Sequence, residues 1–311
     1  MISTAAKSLH SLGPASEMTS IHASVMVDEI MEGLYIRPGG VYVDATTGMG
    51  GHIQAILQRH PEVEMIIGFD MDAETIDKAR ERLASFGSRV HLIHSNFCSL
   101  PDILYAEEMD SVDGILMDLG LSSYQLERSG RGFSFLRDEP LDMRMNRFGT
   151  VTAADMVNRM PENRLAELFR SYGEERWARR IAKKIVERRS RNPVLTSADL
   201  ARIVAEAIPR RFHPRRIHPA TRVFQALRIA VNTELENLKS ALDYFPTCLK
   251  KGGRLCIISF HSLEDRLVKH AFRNDVRLNP LTRKPMTPGQ QEIMQNPRAR
   301  SAKLRIAERV K

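Results

Sequence analysis

Apolar residues recur along this chain with two different periods, and the switches between them outline the fold. Short β-branched runs predict strands at 41–44, 64–70, 90–94 and 113–118, with amphipathic helices at 51–59 and 72–84 between the first three. Ahead of them, 22–34 reads as a helix that offers Val25, Ile30 and Leu34 for packing and ends near Arg37-Pro38-Gly39-Gly40. Strands alternating with helices imply a mostly parallel sheet covered on both faces. From Arg131 the alternation stops. An ordered loop with both charge signs leads to helix-period segments at 152–159, 161–171, 174–190 and 197–207, the last one opened by Thr196, Ser197 and Asp199. The sheet pattern then resumes with a helix at 219–245, a buried strand at 254–260 and a helix opened by His261. A Pro- and Gln-rich loop at 279–297 follows, and the last strand falls within 301–309. The expected architecture is therefore α/β. Residues 21–125 and 218–311 form the sheet domain, 126–217 form a helical insertion between two strands, and 1–20 read as a disordered tail.

One stretch carries the first chemical signal. Val41-Tyr42-Val43 ends in Asp44, passes through a turn containing Gly48, Gly50 and Gly51, and enters a helix at His52. Strand, glycine turn and helix put a nucleotide-like ligand at a helix N-terminus, and missing Cβ atoms let the backbone approach it. Asp70 closes the next strand about 20 residues on, where doubly wound sheets carry a ribose-binding carboxylate. The third glycine of G-x-G-x-x-G is absent, and no Gly-Lys-Ser/Thr follows, so a diphosphate ligand fits poorly. An adenosine ligand without a diphosphate fits better, with S-adenosylmethionine the common choice; a turn that merely joins strand to helix is the plainer alternative. Asp44, Asp70, Asn96 and Asp118 would line one rim, since ligands of open α/β sheets bind beyond the carboxyl ends of the strands. Phe97 would pack on the ligand's ring or belong to the core.

Charge refines the picture. Residues 1–150 hold 12 basic against 22 acidic residues, whereas 151–217 hold 16 against 8 and 268–311 hold 11 against 3. An acidic half beside two basic blocks suggests a polyanionic partner held near a small-molecule site. The candidate RNA-facing residues are Arg179, Arg180, Lys183 and Lys184, on a helix whose apolar seam is Trp177, Ile181 and Ile185. Any single basic run is also readable as a solvated helix face. Cys98, Cys248 and Cys256 have no metal-ligand spacing, so reduced thiols and no resident metal are expected. No apolar run approaches the roughly 20 residues of a membrane span. The first 20 residues lack the charged and apolar blocks of a secretory signal.

Several longer segments together resemble one family, the ribosomal small-subunit cytosine-N4 methyltransferases (RsmH/MraW). They include D-A-T-T-G-M-G-G-H at 44–52, M-D-L-G-L-S-S-Y-Q-L at 117–126, R-G-F-S-F at 131–135 and P-L-D-M-R-M at 140–145. H-P-A-T-R-V-F-Q-A-L-R-I-A-V-N at 218–232, S-F-H-S-L-E-D-R at 259–266 and N-P-R-A-R-S-A-K-L-R at 296–305 extend the match. The likeness runs from about His22 to the end. It departs at Tyr124, Glu139 and Asn146, where Pro, Gly and Asp are common. The resemblance implies a Rossmann-like class I S-adenosylmethionine-dependent methyltransferase sheet. It also implies cofactor contacts from Gly50, Gly51, His52, Asp70, Phe97, Asp118 and Gln125, to which the turn itself adds Gly48. The implied substrate is a decoding-region cytidine of small-subunit ribosomal RNA, free or in an assembling subunit. Bacterial cytoplasm or an organelle matrix would be its setting, and a homodimer is compatible with it.

The chemistry narrows the catalytic candidates. A cytosine amino nitrogen is a poor nucleophile because its lone pair is conjugated into the ring. An oxygen accepting its N–H raises electron density on nitrogen as positive charge develops. Asp118 is the candidate acceptor, with Ser122 and Ser123 as further polar contacts. Asp142 and Arg144 read either as substrate contacts or as an ion pair, and His261 either as a base- or phosphate-positioning group or as a helix cap. Two other function classes remain: a DNA or nucleotide amino-methyltransferase, disfavoured by the missing D-P-P-Y element, and a non-catalytic RNA-binding protein with a methyltransferase fold.

Overall fold

The computed structural model describes residues 24–214 and 217–311. The expected tail at 1–20 and the start of the 22–34 helix lie outside the described residues. Among the described residues there are seven strands: β1 Val41–Asp44, β2 Met65–Asp70, β3 Val90–His94, β4 Val112–Asp118, β5 Leu249–Ser259, β6 Leu278–Pro280 and β7 Lys303–Arg309. They form one sheet in the order β3-β2-β1-β4-β5-β7-β6. β1 to β5 run parallel, with Val43 opposite both Ile67 and Ile115, while β7 is antiparallel to β5 and β6 to β7. The order steps outward from β1 through β2 to β3, then restarts on the other side at β4. This reversal opens a crevice at the carboxyl ends of β1 and β4.

The helices before the insertion are α1 Val27–Leu34, α2 Gly51–Arg59, α3 Ala73–Leu83, α4 Leu100–Ala106 and α5 Ser123–Glu127. The helical layer contains α6 Ala153–Arg159, α7 Glu162–Gly173, α8 Ala178–Arg189, α9 Ser197–Ala207 and α10 Thr221–Asn232. α11 Glu234–Cys248, α12 Ser262–Asn274 and α13 Gln290–Gln295 complete the chain. Successive strand residues point to opposite faces, and the two cores follow from that. Val43, Ile67, Ile115 and Ile257 pack under α4 and α11, while Tyr42, Ile66, Leu116 and Ile258 pack under α1 and α2. A third core lies in the helical layer, where Phe169, Ile181, Ile185 and Leu200 meet Phe133 and Met143 of the preceding loop.

The structure departs from the sequence pattern at several joints. The stretch read as one helix over 219–245 is two, because Thr233 adopts a left-handed conformation (φ 50°) between α10 and α11. α10 turns its apolar face (Val223, Phe224, Leu227) into the helical core, which therefore extends beyond residue 217. Asn232, at the break, donates to the Met143 carbonyl (2.8 Å) and accepts from the Met145 N–H (2.7 Å), tying the loop to the joint. The helix expected over 174–190 begins only at Ala178, since Glu174 is also left-handed (φ 47°) and ends α7. α4, α13 and β6 are short elements that the apolar periodicity did not reveal.

Candidate active site

The glycine turn is fixed by the strands on either side of it. The Thr47 N–H donates to the Phe69 carbonyl (2.8 Å), and Gly50 closes the turn by donating to the Thr47 carbonyl (2.8 Å). Asp70, at the tip of β2, accepts from the Gly48 N–H through Oδ2 (2.9 Å) and from the Asp72 N–H through Oδ1 (2.9 Å). Gly50 has φ 78°, and a Cβ there would lie 2.7 Å from Leu83 Cδ1 of α3. Glycine at 50 thus lets the turn bend and lets α2 and α3 close up, and the residue faces that packing rather than the crevice.

Beyond these strand tips lies a cavity with about 1020 Å³ of atom-free space, open at its mouth. Of the residues expected to bind cofactor, Gly48, Gly51, His52, Asp70, Phe97, Asp118 and Gln125 line it, and so does Ser122. Asp44 and Asn96 sit behind the wall instead: Asp44 is buried and accepts from the Thr46 N–H (3.1 Å), while Asn96 accepts from the Cys98 N–H (2.9 Å) as a helix cap. Phe97 lines the cavity with its ring edge-on to Phe245 in the core. Ser122 and Gln125 form a reciprocal capping box at the start of α5, and Gln125 also donates to the buried carboxylate of Asp72 (3.0 Å).

Three acids and one histidine set the electrostatics. The Asp118 N–H donates to Thr46 Oγ1 (2.6 Å), and Asp118 Oδ2 lies 3.4 Å from Nε2 of the buried His52. Asp118 Oδ1, Asp44 Oδ2 and His52 Nδ1 are buried without a hydrogen-bond partner. Burial raises Asp44 to about 6 and Asp70 to about 7. Burial pulls the His52 imidazole down, but its hydrogen bond to Asp118 and the charges of Asp118 and Asp44 outweigh it and leave the pKa above the ordinary value. Unpaired buried polar atoms are costly, and these lie beneath the wall, while the Asp70 and Asp118 side chains line the cavity itself.

The other expected site residues lie away from the cavity wall. Arg144 makes a bidentate pair with Asp142 (2.8 and 2.6 Å) and donates to the carbonyls of Arg147 and Gly149, which is the ion-pair alternative. His261 caps α12, accepting from the Glu264 N–H (3.4 Å). Glu234, His261 and Glu264 bring donor atoms within 4.8 Å of one another, but the Arg228 guanidinium already holds both oxygens of Glu234 (2.9 and 2.8 Å) and supplies the positive charge there. Arg179, Arg180 and Lys183 are exposed on α8 and Lys184 is half-buried.

Pattern reasoning missed Ser24, Arg82, Met145, Phe260, Asn296 and Arg298, all of which line the cavity. Arg298 reaches Ser123 and Glu127 of α5, so the segment after α13 crosses the mouth. Its only signal in the sequence was the N-P-R-A-R-S segment, to which no role attached. Asp72 and Arg131 were missed too; they form a buried ion pair beneath Gln125.

Comparisons with known proteins agree with this geometry. The chain is 51% identical over 290 residues to ribosomal RNA small subunit methyltransferase H of Desulfotalea psychrophila, covering 93% of this chain and 98% of that one. The protein of the same name from Trichodesmium erythraeum is 50% identical over 289 residues, covering 93% and 99%. That of Gloeobacter violaceus is 51% identical over 296 residues, covering 95% and 90%. The sequence profile of the MraW methylase family matches residues 19–310. With its glycine turn, strand-tip acids and sheet order in place, the chain belongs to the MraW methylase family.

Proposed function

We propose that this chain is an S-adenosylmethionine-dependent methyltransferase that modifies the N4 amino group of a cytidine in the decoding region of small-subunit ribosomal RNA. The observation that carries the reading is Asp118, a strand-tip carboxylate in the cavity wall whose side chain is partly exposed. Gly48, Gly51, His52, Asp70, Phe97 and Gln125 would hold the cofactor, which supplies a methyl group activated on a positive sulfonium. Asp118 then accepts an N–H of the cytosine amino group, holding the nitrogen in line and stabilising the positive charge that builds there. The target base must leave its stack, at a cost of a few kcal/mol, and phosphate contacts from the basic helical layer offset that cost. No helix among the described residues is long and apolar enough to cross a membrane, and a cytoplasmic setting is proposed.

Incubation with labelled methyl donor and, separately, small ribosomal subunits, naked ribosomal RNA, DNA and free cytidine tests the reading. Label should enter small-subunit RNA and release as N4-methylcytidine. Label in DNA or in free nucleotide, or no transfer at all, would overturn it.

Two further outcomes are expected. Replacing Arg179, Arg180, Lys183 and Lys184 by glutamate should weaken RNA binding and make its salt dependence shallower, by about one unit of log–log slope per lost phosphate contact. Cofactor affinity should stay unchanged, and unaltered RNA affinity would remove α8 from the interface. The second concerns pH. With Asp44 raised to about 6 and Asp70 to about 7, both carboxyls take up protons in the folded chain while their unfolded counterparts stay ionised down to about pH 4. Their contribution to stability is thus fully present below about pH 4 and lost as pH rises through 6 and 7. A cationic ligand interacts better with the ionised acids, so the thermal shift produced by S-adenosylmethionine should be larger at pH 8 than at pH 5.5. An equal shift at both would mean that these carboxylates do not sense the ligand.

A further inference from the structure

The cavity has two sides, set by strand order. Asp70, Met71, Ser95 and Phe97 stand at the tips of β2 and β3, whereas Asp118 to Ser122 and Phe260 stand at the tips of β4 and β5, across the switch point. A ligand gripped through the glycine turn and Asp70 leaves the β4–β5 side for the second substrate. Asp118 is on that side, and so is the half-buried Phe260, which lines the cavity and packs against the core under α1 and α2.

The position of that ring is closely defined. Phe260 directly follows β5, two residues after Ile258, which is the register partner of Asp118. The Leu119 N–H donates to the Ile258 carbonyl (2.9 Å), carrying the pairing one residue past β4. Gly120 comes next, with φ 140°, and a Cβ on it would lie 3.1 Å from Cδ2 and 3.4 Å from Cε2 of the Phe260 ring. Only a residue without Cβ both adopts that backbone freely and leaves the ring its room. On the other flank, Glu264 Oε2 accepts from the N–H groups of Phe260 (2.8 Å) and His261 (3.2 Å), and His261 returns the cap to α12. The half-buried Arg228–Glu234 pair stands behind Glu264. Phe260 is therefore held from both sides at the cavity wall.

We propose that Phe260 is the platform on which the target base stacks, presenting its amino edge to Asp118, with Gly120 setting the height of the ring. This rests on the reading of a cytosine substrate given above. An extruded base loses its stacking neighbours, and an aromatic face returns that contact with little regard to sequence. Phe260 would thus secure the base, while base identity is read at its edge.

The test uses the full-length protein and a small-subunit RNA fragment carrying the fluorescent cytosine analogue pyrrolocytosine at the target position. Wild-type protein should quench the analogue on binding, and Phe260→Leu should not. Phe260→Tyr and Phe260→Trp should restore quenching. With unmodified RNA, Phe260→Leu should lower kcat/KM about 5- to 100-fold, with S-adenosylmethionine affinity by calorimetry unchanged. Gly120→Ala should reproduce part of that loss. Wild-type kcat/KM and wild-type quenching in Phe260→Leu would overturn the assignment. So would a parallel loss of cofactor affinity, which would make the ring a structural support of the cavity. Failure of the wild-type protein to methylate any RNA would instead sink the cytosine reading, so the two failures are distinguishable.

Discussion

Replacing Asp118 by asparagine should lower turnover about 100- to 1,000-fold while changing cofactor and RNA affinity by only a few-fold. The amide keeps the size of the side chain, and the backbone anchor to Thr46 Oγ1 is untouched. What disappears is the negative charge facing an amino group whose nitrogen becomes positive as the new bond forms. The effect is large because the acceptor is half-buried and fixed beforehand at a strand tip, so little reorganisation is needed as the charge develops. His52 provides a second readout. Its pKa is held up by Asp118, so in Asp118→Asn the imidazole should titrate at lower pH by NMR. Turnover within about 3-fold of wild type would assign the acceptor role to another group, such as a carbonyl of the following loop.

Asp72→Ala should destabilise the fold by about 3–5 kcal/mol, lowering the melting temperature by roughly 6–20 °C. Asp72 and Arg131 are only 1% and 3% exposed. Asp72 accepts from Arg131, from the Gln125 amide (3.0 Å) and from the Glu74 N–H (3.2 Å), and Arg131 also donates to the carbonyls of Arg144 (2.9 Å) and Met145 (3.1 Å). Removing the acid strands a guanidinium away from water, which costs more than the pair itself contributes. The loss should reach the site, since Gln125 and Met145 line the cavity and both lean on this pair. Weaker cofactor binding is expected alongside the lower melting temperature. Exchanging both partners for apolar residues (Asp72→Leu with Arg131→Met) should recover much of the stability, because no lone charge remains. A loss below about 1 kcal/mol in Asp72→Ala would show that the cation finds water or another acceptor.

The local pattern was legible where one residue type has one physical consequence. β-branched runs closed by Asp44, Asp70 and Asp118 became three strands whose ends meet at one crevice. The glycine turn became the entry to α2, and Thr196 became the cap of α9. Breaks that depend on tertiary contacts were not legible. Thr233 and Glu174 take left-handed conformations that their identities do not request. At Thr233, the neighbouring Asn232 is engaged by the 143–145 loop, far away in sequence. Local propensity favours continuing a helix there, and packing overrides it.

The same division runs through the site. Sequence alone determined the glycine turn, the strand-tip acids and the separation of acidic from basic blocks, because each is written in contiguous residues and in the period of the side chains. Only the tertiary structure decided that Asp44 and Asn96 stand behind the wall and that Asp142 and Arg144 satisfy each other. It likewise brought Phe260, Asn296 and Arg298, from the far end of the chain, around the same cavity as Gly48. Which buried polar atoms are left without partners depends on what the fold packs against them, and no periodicity along a chain records that.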